Sequence, residues 1–297
     1  MKKNDSNKSE KSFSSSSINW FPGHMVVAKK QIKESLGLVD VVIEIIDARI
    51  PISSRNPDFD ELVGNKPRVI ALNKSDLADP VMNKKWIEYF KKQGIKAILM
   101  NSITGVGIKE VLKSANDLMK EKLEKEAAKG RVGRSVRAAV MGIPNSGKSS
   151  FINKVSGKNA VEVGNKPGVT RKKQWIRTNQ GVELMDTPGI LWPKFEDEKI
   201  GLHLAYTSAI RYEILDNTEL AINMLVELKE SYKSALETRY KLTDIAELEG
   251  HEILEAIGRK RGCMVAGGNV DLTKAANIVI EEFRKGTIGK ITLEVPN

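Results

Sequence analysis

Short apolar runs alternate with amphipathic stretches through the first two thirds of the chain. The runs have the length and composition of buried strands, and several of them are separated by segments whose apolar residues recur at helical spacing. The alternation predicts an α/β fold with a mainly parallel sheet and helices on both faces. The predicted strands are Val41–Ile46, Val69–Leu72, Ala97–Met100, Val136–Met141 and Val182–Met185, and the helices between them include Val81–Gln93 and Ile108–Lys122. A turn at 178–181 predicts one hairpin at the edge of the sheet.

After about residue 193 the strand patterns nearly vanish and helical periods follow one another. The predicted helices are His203–Leu215, Thr218–Leu236, Thr243–Ile257 and Leu272–Arg284, with N-caps at Asn217 or Thr218, Thr243 and Asp271, and stops at Gly258 and Gly286. We therefore expect a flexible polar tail at 1–17, an α/β domain at 18–198 and an all-α domain at 199–297. Residues 120–135 predict a solvated helix end that passes into a linker.

Charge and composition narrow the class of protein. The 297 residues carry 48 Lys and Arg against 38 Asp and Glu, a formal net charge of +10, which favours a polyanionic partner, nucleic acid before membrane. One cysteine and three scattered histidines predict a reducing compartment and no structural zinc. Because the N-terminus is polar and no apolar run reaches about 18 residues, we expect a cytoplasmic protein.

A glycine-rich loop, Gly142–Ser149 (GIPNSGKS), follows the predicted strand 136–141 and precedes a helical segment. It fits the Walker A pattern, in which glycines let backbone N–H groups point at phosphate oxygens. Lys148 then reaches the outer phosphates and the hydroxyl of Ser149 binds Mg²⁺. The expected phosphate contacts are Asn145, Ser146, Gly147, Lys148, Ser149 and Ser150. The alternative is a chance match with no nucleotide role.

A second motif, Asp186–Gly189 (DTPG), ends the predicted strand 182–185, 38 residues after Lys148. Asp186 can hold Mg²⁺ through water, and the N–H of Gly189 can meet a terminal phosphate. Between the two motifs, Thr170 in PGVT can bind Mg²⁺ when the third phosphate is present and lose it afterwards, as a switch loop does. Taken alone, DTPG is equally compatible with a tight turn.

The sequence NKSD, Asn73–Asp76, follows the predicted strand 69–72. A single carboxylate at Asp76 can accept both N1–H and the N2 amine of guanine, whereas adenine has no amine there. Lys74 can cover the base with its aliphatic stem. NSIT, Asn101–Thr104, follows the next strand and can support the base through backbone N–H groups around Ser102. By itself NKSD is also compatible with an ordinary strand-to-helix turn.

The order of these motifs is unusual, because the base-reading sequences precede the phosphate loop. With WFPGHM at 20–25 and DARIP at 47–51, the set resembles the circularly permuted P-loop GTPases, and within them the ribosome biogenesis GTPase A family. The resemblance covers about residues 18 to 297. It implies a circularly permuted GTPase domain, the ligands GTP and GDP with Mg²⁺, GTP hydrolysis, and assembly of the large ribosomal subunit. A compact domain permits such a permutation because its termini often lie close together.

Hydrolysis needs a group that the switch motif lacks. Ile190 follows DTPG, and an aliphatic side chain cannot orient water, so we expect slow turnover by the protein alone. The resemblance assigns a catalytic role to His24 of WFPGHM, while a structural histidine is the other interpretation. It also assigns K⁺ binding near the bridging phosphate oxygen to Asn145, which otherwise only shapes the turn.

Basic residues cluster at three places and favour an RNA surface over a merely solvated face: Lys166, Arg171, Lys172, Lys173 and Arg177; Arg131, Arg134 and Arg137; and Arg259, Lys260 and Arg261. Trp175 can stack a base or occupy a sheet edge. The resemblance implies precursor rRNA as the partner; we expect a monomer without stable membrane association. Two alternatives stay open: a nucleotide-gated RNA-binding scaffold with little turnover, and a P-loop ATPase or kinase.

Overall fold

A computed structural model of the chain describes residues 22–131, 133–157, 175–192, 195, 197–210 and 216–296, with side chains in its first helix from residue 26 onward. Its sheet has six strands in the order β3-β2-β1-β4-β6-β5. The strands are β1 (Val41–Asp47), β2 (Arg68–Asn73), β3 (Lys96–Leu99), β4 (Val136–Met141), β5 (Trp175–Arg177) and β6 (Val182–Asp186). All neighbouring pairs are parallel except β5 with β6, which form the expected edge hairpin. The mainly parallel sheet is confirmed.

Helices cover both faces of this sheet because its strands are apolar on both sides. The helices of the α/β domain are α1 (Pro22–Leu36), α2 (Asp58–Val63), α3 (Pro80–Lys92), α4 (Ile108–Ala127) and α5 (Lys148–Ser156). On β1, Val41, Ile43 and Ile45 pack against α4 and α5, whereas Val42 packs with α1 and α2. Every residue of β1 is buried, as expected for a central strand in a two-sided sheet.

The linker between α4 and β4 is fixed where it reaches the sheet. Arg134 donates from Nη2 to Oδ1 of Asp40 at 2.7 Å and from Nε to Glu126 at 2.9 Å. Burial raises the pKa of the Asp40 carboxyl, but bonds from Arg134 and Lys122 outweigh burial and lower the pKa to about 2. This linker brings the chain from the end of α4 to the centre of the sheet, which is the connection that a permuted order requires.

The C-terminal region is helical. Its elements are α6 (Glu198–Tyr206), α7 (Asn217–Tyr240), a 3-10 turn (Ile245–Glu247), α8 (Gly250–Lys260) and α9 (Leu272–Arg284). Their apolar core includes Leu225, Leu254 and Phe283, and Ile143 and Trp192 of the α/β domain pack into the same core. The two parts of the protein therefore share a continuous buried interface.

Two helix predictions for this region were wrong in the residue at which the helix begins. The helix expected at 203–215 runs instead from Glu198 to Tyr206, because the side chain of Asp197 accepts from Lys199 N and caps its start. The helix expected from residue 243 begins at Gly250, and Gly258 lies inside this helix and does not end it. An added Cβ at Gly258 would overlap Val270, so glycine allows the helix to approach that residue closely.

The caps and stops of the other helices agree more closely with the sequence pattern. Asp216 caps α7, whereas Asn217 or Thr218 was expected, one or two residues later. The predicted cap at Asp271 is confirmed, as its side chain accepts from Lys274 N. Gly286, in a left-handed conformation, follows the end of α9 as predicted.

The last residues, 286–296, form a C-terminal strap that returns across the α/β domain. Ile291 N donates to Leu77 O at 3.0 Å, and Leu293 N donates to Arg49 O at 2.8 Å. The indole of Trp86 donates to Glu294 O at 3.1 Å. The strap thus joins the helical region to the loop after β1 and the loop after β2.

A buried histidine fixes the strap to the helices. His203 on α6 contacts Glu227 of α7 through Nε2 at 2.9 Å and Glu294 of the strap through Nδ1 at 3.1 Å. The hydroxyl of Ser53 also faces Nδ1, and Lys199 pairs with Glu227. Burial lowers the pKa of His203, but the two carboxylates outweigh burial and raise the pKa to about 9.

This histidine predicts that the protein loses stability as the pH rises. Because the folded protein holds the proton more tightly than the unfolded chain does, the full contribution is present below about pH 6.5 and is lost as the pH approaches 9. A shift of this size corresponds to roughly 3 kcal/mol in the free energy of unfolding. Urea unfolding at pH 6 and pH 9.5 should show a fall that His203→Gln removes and that His251→Gln, at an exposed site, retains. If wild type and His203→Gln lose the same free energy of unfolding between pH 6 and pH 9.5, this assignment is wrong.

Candidate nucleotide-binding site

The candidate motifs meet at one edge of the sheet. β1, β2, β3, β4 and β6 are parallel, so the loops that follow their carboxyl ends lie side by side. The phosphate-loop sequence follows β4, DTPG begins at the last residue of β6, NKSD begins at the last residue of β2, and NSIT comes shortly after β3. Ligands of open α/β sheets bind at this edge.

The loop between β4 and α5 has the conformation of a phosphate cradle. Positive φ angles of 152° at Gly142, 57° at Asn145 and 103° at Gly147 curl the backbone. The Lys148 ammonium turns back over the loop and donates to Gly142 O at 3.0 Å and Ile143 O at 2.8 Å. Burial lowers the pKa of Lys148 to about 8, while Asp186 acts in the opposite direction. An anion bound between this loop and α5 would therefore compensate the Lys148 ammonium for its loss of hydration.

DTPG lies directly against this loop. Asp186 ends β6 in register with Val140 of β4, and the hydroxyl of Thr187 donates to Val140 O at 2.7 Å. A Cβ added at Gly189 would lie 2.7 Å from Lys148 Nζ and 3.1 Å from Pro144 N. The two loops therefore approach each other closely at Gly189.

Asn73 connects three loops. Its Nδ2 donates to Ser146 O in the phosphate loop at 2.8 Å and to Ser102 Oγ at 3.1 Å. Its Oδ1 accepts from Ser102 N at 2.9 Å. A Cβ on Gly147 would overlap the Asn73 amide, so the phosphate loop and NKSD are in van der Waals contact. One buried side chain thus holds together sequences that are 29 and 73 residues apart from it.

The remaining positions of NKSD extend towards the outside of this junction. Lys74 has a left-handed backbone, and its ammonium donates to Asp47 Oδ2 at 2.8 Å. Ser75 is fixed by bonds from its N–H and hydroxyl to Met100 O. Asp76 is exposed. Its carboxylate is therefore open to solvent beside a rigid loop, as a base-reading group must be.

NSIT is held by hydrogen bonds of its own. Asn101 Oδ1 accepts from the backbone N–H groups of Ile103 and Thr104 at 2.8 and 2.9 Å. Since Ser102 N also donates to Asn73, the N–H groups expected to support a base donate within the loops of this structure. NSIT contributes here by fixing Asn73.

Comparison with known proteins identifies the family. Ribosome biogenesis GTPase A from Bacillus cereus is 48% identical over 279 residues, which cover 94% of this chain and 94% of that protein. The chain belongs to the ribosome biogenesis GTPase A family. The Thermotoga maritima member is 34% identical over 281 residues, which cover 94% and 95% of the two chains. A family model described as "50S ribosome-binding GTPase" matches residues 137–255.

Solved structures agree with this assignment. GDP-bound TM YlqF matches with a TM-score of 0.65 at 29% identity, over 90% of this chain and 99% of that chain. GNP-bound YlqF from T. maritima matches with a TM-score of 0.63 at 29% identity, over 91% and 99%. The protein is therefore a circularly permuted GTPase, and the family model begins in β4, where the permuted sheet places its phosphate loop.

Several candidate catalytic residues of this GTPase fall at the limits of the described structure. His24 lies in the first turn of α1, with its side chain outside the described residues, and Thr170 and the basic group at 166–173 also lie outside them. Ile190 is buried among Ile32, Phe59 and other apolar residues of α1, α2 and the sheet. Its side chain points into a core and not towards a phosphate.

Two polar residues of the site were missed or only partly interpreted from the sequence. Asn145 donates from Nδ2 to Ser208 O, just after α6, at 2.6 Å, a contact across the two parts of the protein that no local pattern signals. Asp47, which binds Lys74, lies in the DARIP motif, and the sequence alone predicts no separate role for it. Its position at the carboxyl end of a predicted strand, as in NKSD and DTPG, was the signal that could have found it.

Proposed function

We propose that this GTPase is a switch in the assembly of the large ribosomal subunit, which binds precursor rRNA with GTP and leaves after hydrolysis. The observation that carries the proposal is the bonding of Asn73 to both the phosphate loop and NSIT, which holds the loops with the proposed phosphate-binding and base-reading residues side by side. The names of the relatives, ribosome biogenesis GTPase A, support the ribosomal role.

Guanine specificity comes from the exposed carboxylate of Asp76 in this proposal. Asp76 accepts from N1–H and the N2 amine, and the Lys74 stem covers the ring. Asn73, Asn101 and Ser102 keep the loop in place through the bonds described above. ATP offers no amine to this carboxylate and binds poorly. This leaves the ATPase and kinase alternatives without an explanation for the NKSD geometry.

The phosphates lie in the cradle between β4 and α5, contacted by Ser146, Gly147, Lys148, Ser149, Ser150 and the N–H of Gly189. The cradle fits such a group, since the Lys148 ammonium lies over the loop and Ser146 Oγ is buried without a hydrogen-bond partner among the described residues. Mg²⁺ would be held by Ser149, Thr170 and Asp186, an oxygen set that suits this cation. Bound Mg²⁺ would neutralise charge that develops on the phosphates.

Water activation is assigned to His24, since Ile190 is buried at the position after DTPG and has no polar group. A neutral imidazole can orient or deprotonate a water molecule. His24 belongs to the N-terminal helix, outside the nucleotide loops. A bound ribosomal particle can therefore determine whether the imidazole reaches the phosphate. Turnover is therefore slow until the ribosomal particle is bound.

Phosphate release with and without purified large ribosomal subunits tests this assignment. We expect large subunits to raise the rate of phosphate release by roughly tenfold or more, because a correctly placed general base contributes about 10²–10⁴-fold. Small subunits serve as the control and should not stimulate, and His24→Ala should abolish the stimulation while GDP affinity stays unchanged. Nucleotide-dependent binding to large subunits without any rise in turnover would instead establish the RNA-binding scaffold, which the buried Ile190 favours.

Asn145 is assigned to K⁺. Its Nδ2 is used in the bond to Ser208 O, which leaves Oδ1 as the atom for a cation beside the phosphates. K⁺ there would supply the positive charge that an arginine finger supplies in other GTPases. Replacing K⁺ by Na⁺ should lower subunit-stimulated turnover by roughly tenfold or more without changing GDP affinity. Equal rates in both salts exclude the assignment.

The rRNA surface is assigned to basic residues, although several of them have acidic partners. Arg137 pairs with Glu183 and lies 4.8 Å above the Trp175 ring, so that ring face is covered. Of the remaining described cations in the three clusters, Arg131 and Lys260 are exposed and form no ion pair with another described residue. The described helices include none long and apolar enough to cross a membrane. We propose a cytoplasmic monomer without stable membrane association.

A further inference from the structure

Asp47 occupies the centre of the loop edge. It is the last residue of β1, between β2 and β4, and is paired in register with Asn73 of NKSD. Its side chain is 3% exposed, so it does not reach solvent or a ligand directly. A carboxylate at this depth needs partners that compensate for its loss of hydration.

Two cations share this carboxylate. Arg49 donates from Nε to Oδ1 at 3.0 Å and from Nη2 to Oδ2 at 2.9 Å, and its backbone N–H also reaches Oδ1 at 3.0 Å. Lys74 donates to Oδ2 at 2.8 Å. Burial raises the pKa of Asp47, but Arg49 and Lys74 outweigh burial and hold the pKa far below its usual range. The group is therefore an anion held between two cations.

Arg49 cannot follow a movement of Lys74, because the helical region fixes it. Its Nη1 lies 3.4 Å from Arg284 O and 3.5 Å from Phe283 O, at the carbonyl end of α9. Its guanidinium carbon lies 5.2 Å from the centre of the Phe283 ring. Arg49 is 2% exposed, while the Lys74 side chain is 25% exposed. Lys74 is thus the partner of Asp47 that faces the base site.

We propose that Asp47 is a positioning residue for nucleotide recognition, which holds the Lys74 stem in place for the base while Arg49 and the end of α9 hold Asp47. This inference rests on the proposed base site. It assigns part of the nucleotide affinity to a residue that does not touch the nucleotide, and it links that affinity to the helical region. Because the base is common to both nucleotides, GDP and GTP are affected equally.

A double-mutant cycle on GDP affinity tests the proposal. Lys74→Met should weaken GDP binding by roughly tenfold or more, because it removes the ammonium through which Asp47 holds the stem over the base. Asp47→Asn should weaken it several-fold, because an amide cannot accept from Lys74 and Arg49 on both of its atoms. If Asp47 acts through Lys74, the double variant should bind GDP no more weakly than Lys74→Met. The affinity ratio of GDP to a non-hydrolysable GTP analogue should not change.

Glu44→Gln is the matched control. Glu44 is buried on the same strand and pairs with Arg55 and Arg68, away from the nucleotide loops. This variant should lower stability and leave GDP affinity unchanged. If Asp47→Asn does not fold, the variant that combines Asp47→Asn with Arg49→Met takes its place in the cycle. This variant removes the buried cation together with the anion, so that no charge is left buried and unpaired.

The outcomes separate this inference from the base assignment. Additive losses in the cycle, or normal GDP affinity of a folded Asp47→Asn variant, overturn the positioning role while the base site stands. Normal GDP affinity of Lys74→Met, which keeps an apolar stem, likewise overturns the positioning role, whereas normal GDP affinity of Asp76→Asn overturns the base site and the inference with it. A non-additive cycle with an unchanged Glu44→Gln variant supports the proposal.

Discussion

Asp76→Asn is expected to weaken GDP binding by on the order of a hundredfold or more and to create binding of xanthosine diphosphate. The carboxylate accepts two hydrogen bonds from guanine, whereas an amide offers one acceptor and one donor, which match N1–H and the 2-oxo group of xanthine. Because Asp76 is exposed, the substitution should leave the fold intact. Titration with both fluorescently labelled nucleotides measures the change directly.

Asp79→Asn is the matched control for this experiment. Asp79 lies three residues further along the same loop, where its side chain caps α3 by accepting from Val81 N and Met82 N. We expect a small loss of stability, about 1 kcal/mol or less, and an unchanged preference for guanine. A shift towards xanthine in this variant, or none in Asp76→Asn, contradicts the assignment of the base-reading group.

Gly147→Ala is expected to abolish measurable GDP binding, with a loss of on the order of a hundredfold or more. Its φ of 103° is strained for any L-residue, and the new methyl would overlap the Asn73 amide. Asn73 would have to leave Ser146 and Ser102, which separates the phosphate loop from both base-side loops. GDP titration and thermal unfolding of the same preparation measure both effects.

Gly157→Ala separates strain from the loop junction. Gly157 ends the same helix, α5, in a left-handed conformation with a φ of 67°, and an added Cβ meets nothing within 4 Å. This variant should lose about 1 to 2 kcal/mol in the free energy of unfolding, the cost of a left-handed backbone for alanine, and should keep its GDP affinity. Equal effects on GDP binding at both glycines would show that Asn73 is not the connection between the loops.

The sheet was the part of the fold that the sequence predicted best. Val136–Met141 was predicted with the bounds that β4 has, because an apolar strand before a glycine-rich loop leaves little freedom in its placement. α9 was predicted as accurately, since Asp271 and Gly286 mark its two ends. Strong local signals at both ends of an element explain these agreements.

The errors arose where tertiary contacts override local signals. Gly258 is compatible with a helix stop when only its neighbours in sequence are considered, but it allows α8 to approach Val270 and Ala275 closely. The helix start at Glu198 depends on the Asp197 cap, whereas the apolar period that follows suggested a later start. Such contacts between distant segments leave no periodic pattern in the sequence.

The site shows the same division. The proposed roles of Lys148, Asp76 and Gly189 follow from motifs, because in this proposal each residue acts on a ligand through its own side chain or backbone. The connections between motifs could not. Asn73 reaches a phosphate loop 73 residues away, and Asp47 reaches Lys74 across two neighbouring strands. These bonds depend on strand order, which the permuted sheet determines and no single motif reveals.

A crystal structure of the full chain with GDP and Mg²⁺ is the most direct examination of whether one nucleotide spans both groups of loops. We expect the guanine ring to hydrogen-bond to the Asp76 carboxylate while the phosphates of that same molecule contact Lys148. A nucleotide whose phosphates occupy the glycine-rich loop but whose ring lies far from Asp76 would refute this expectation.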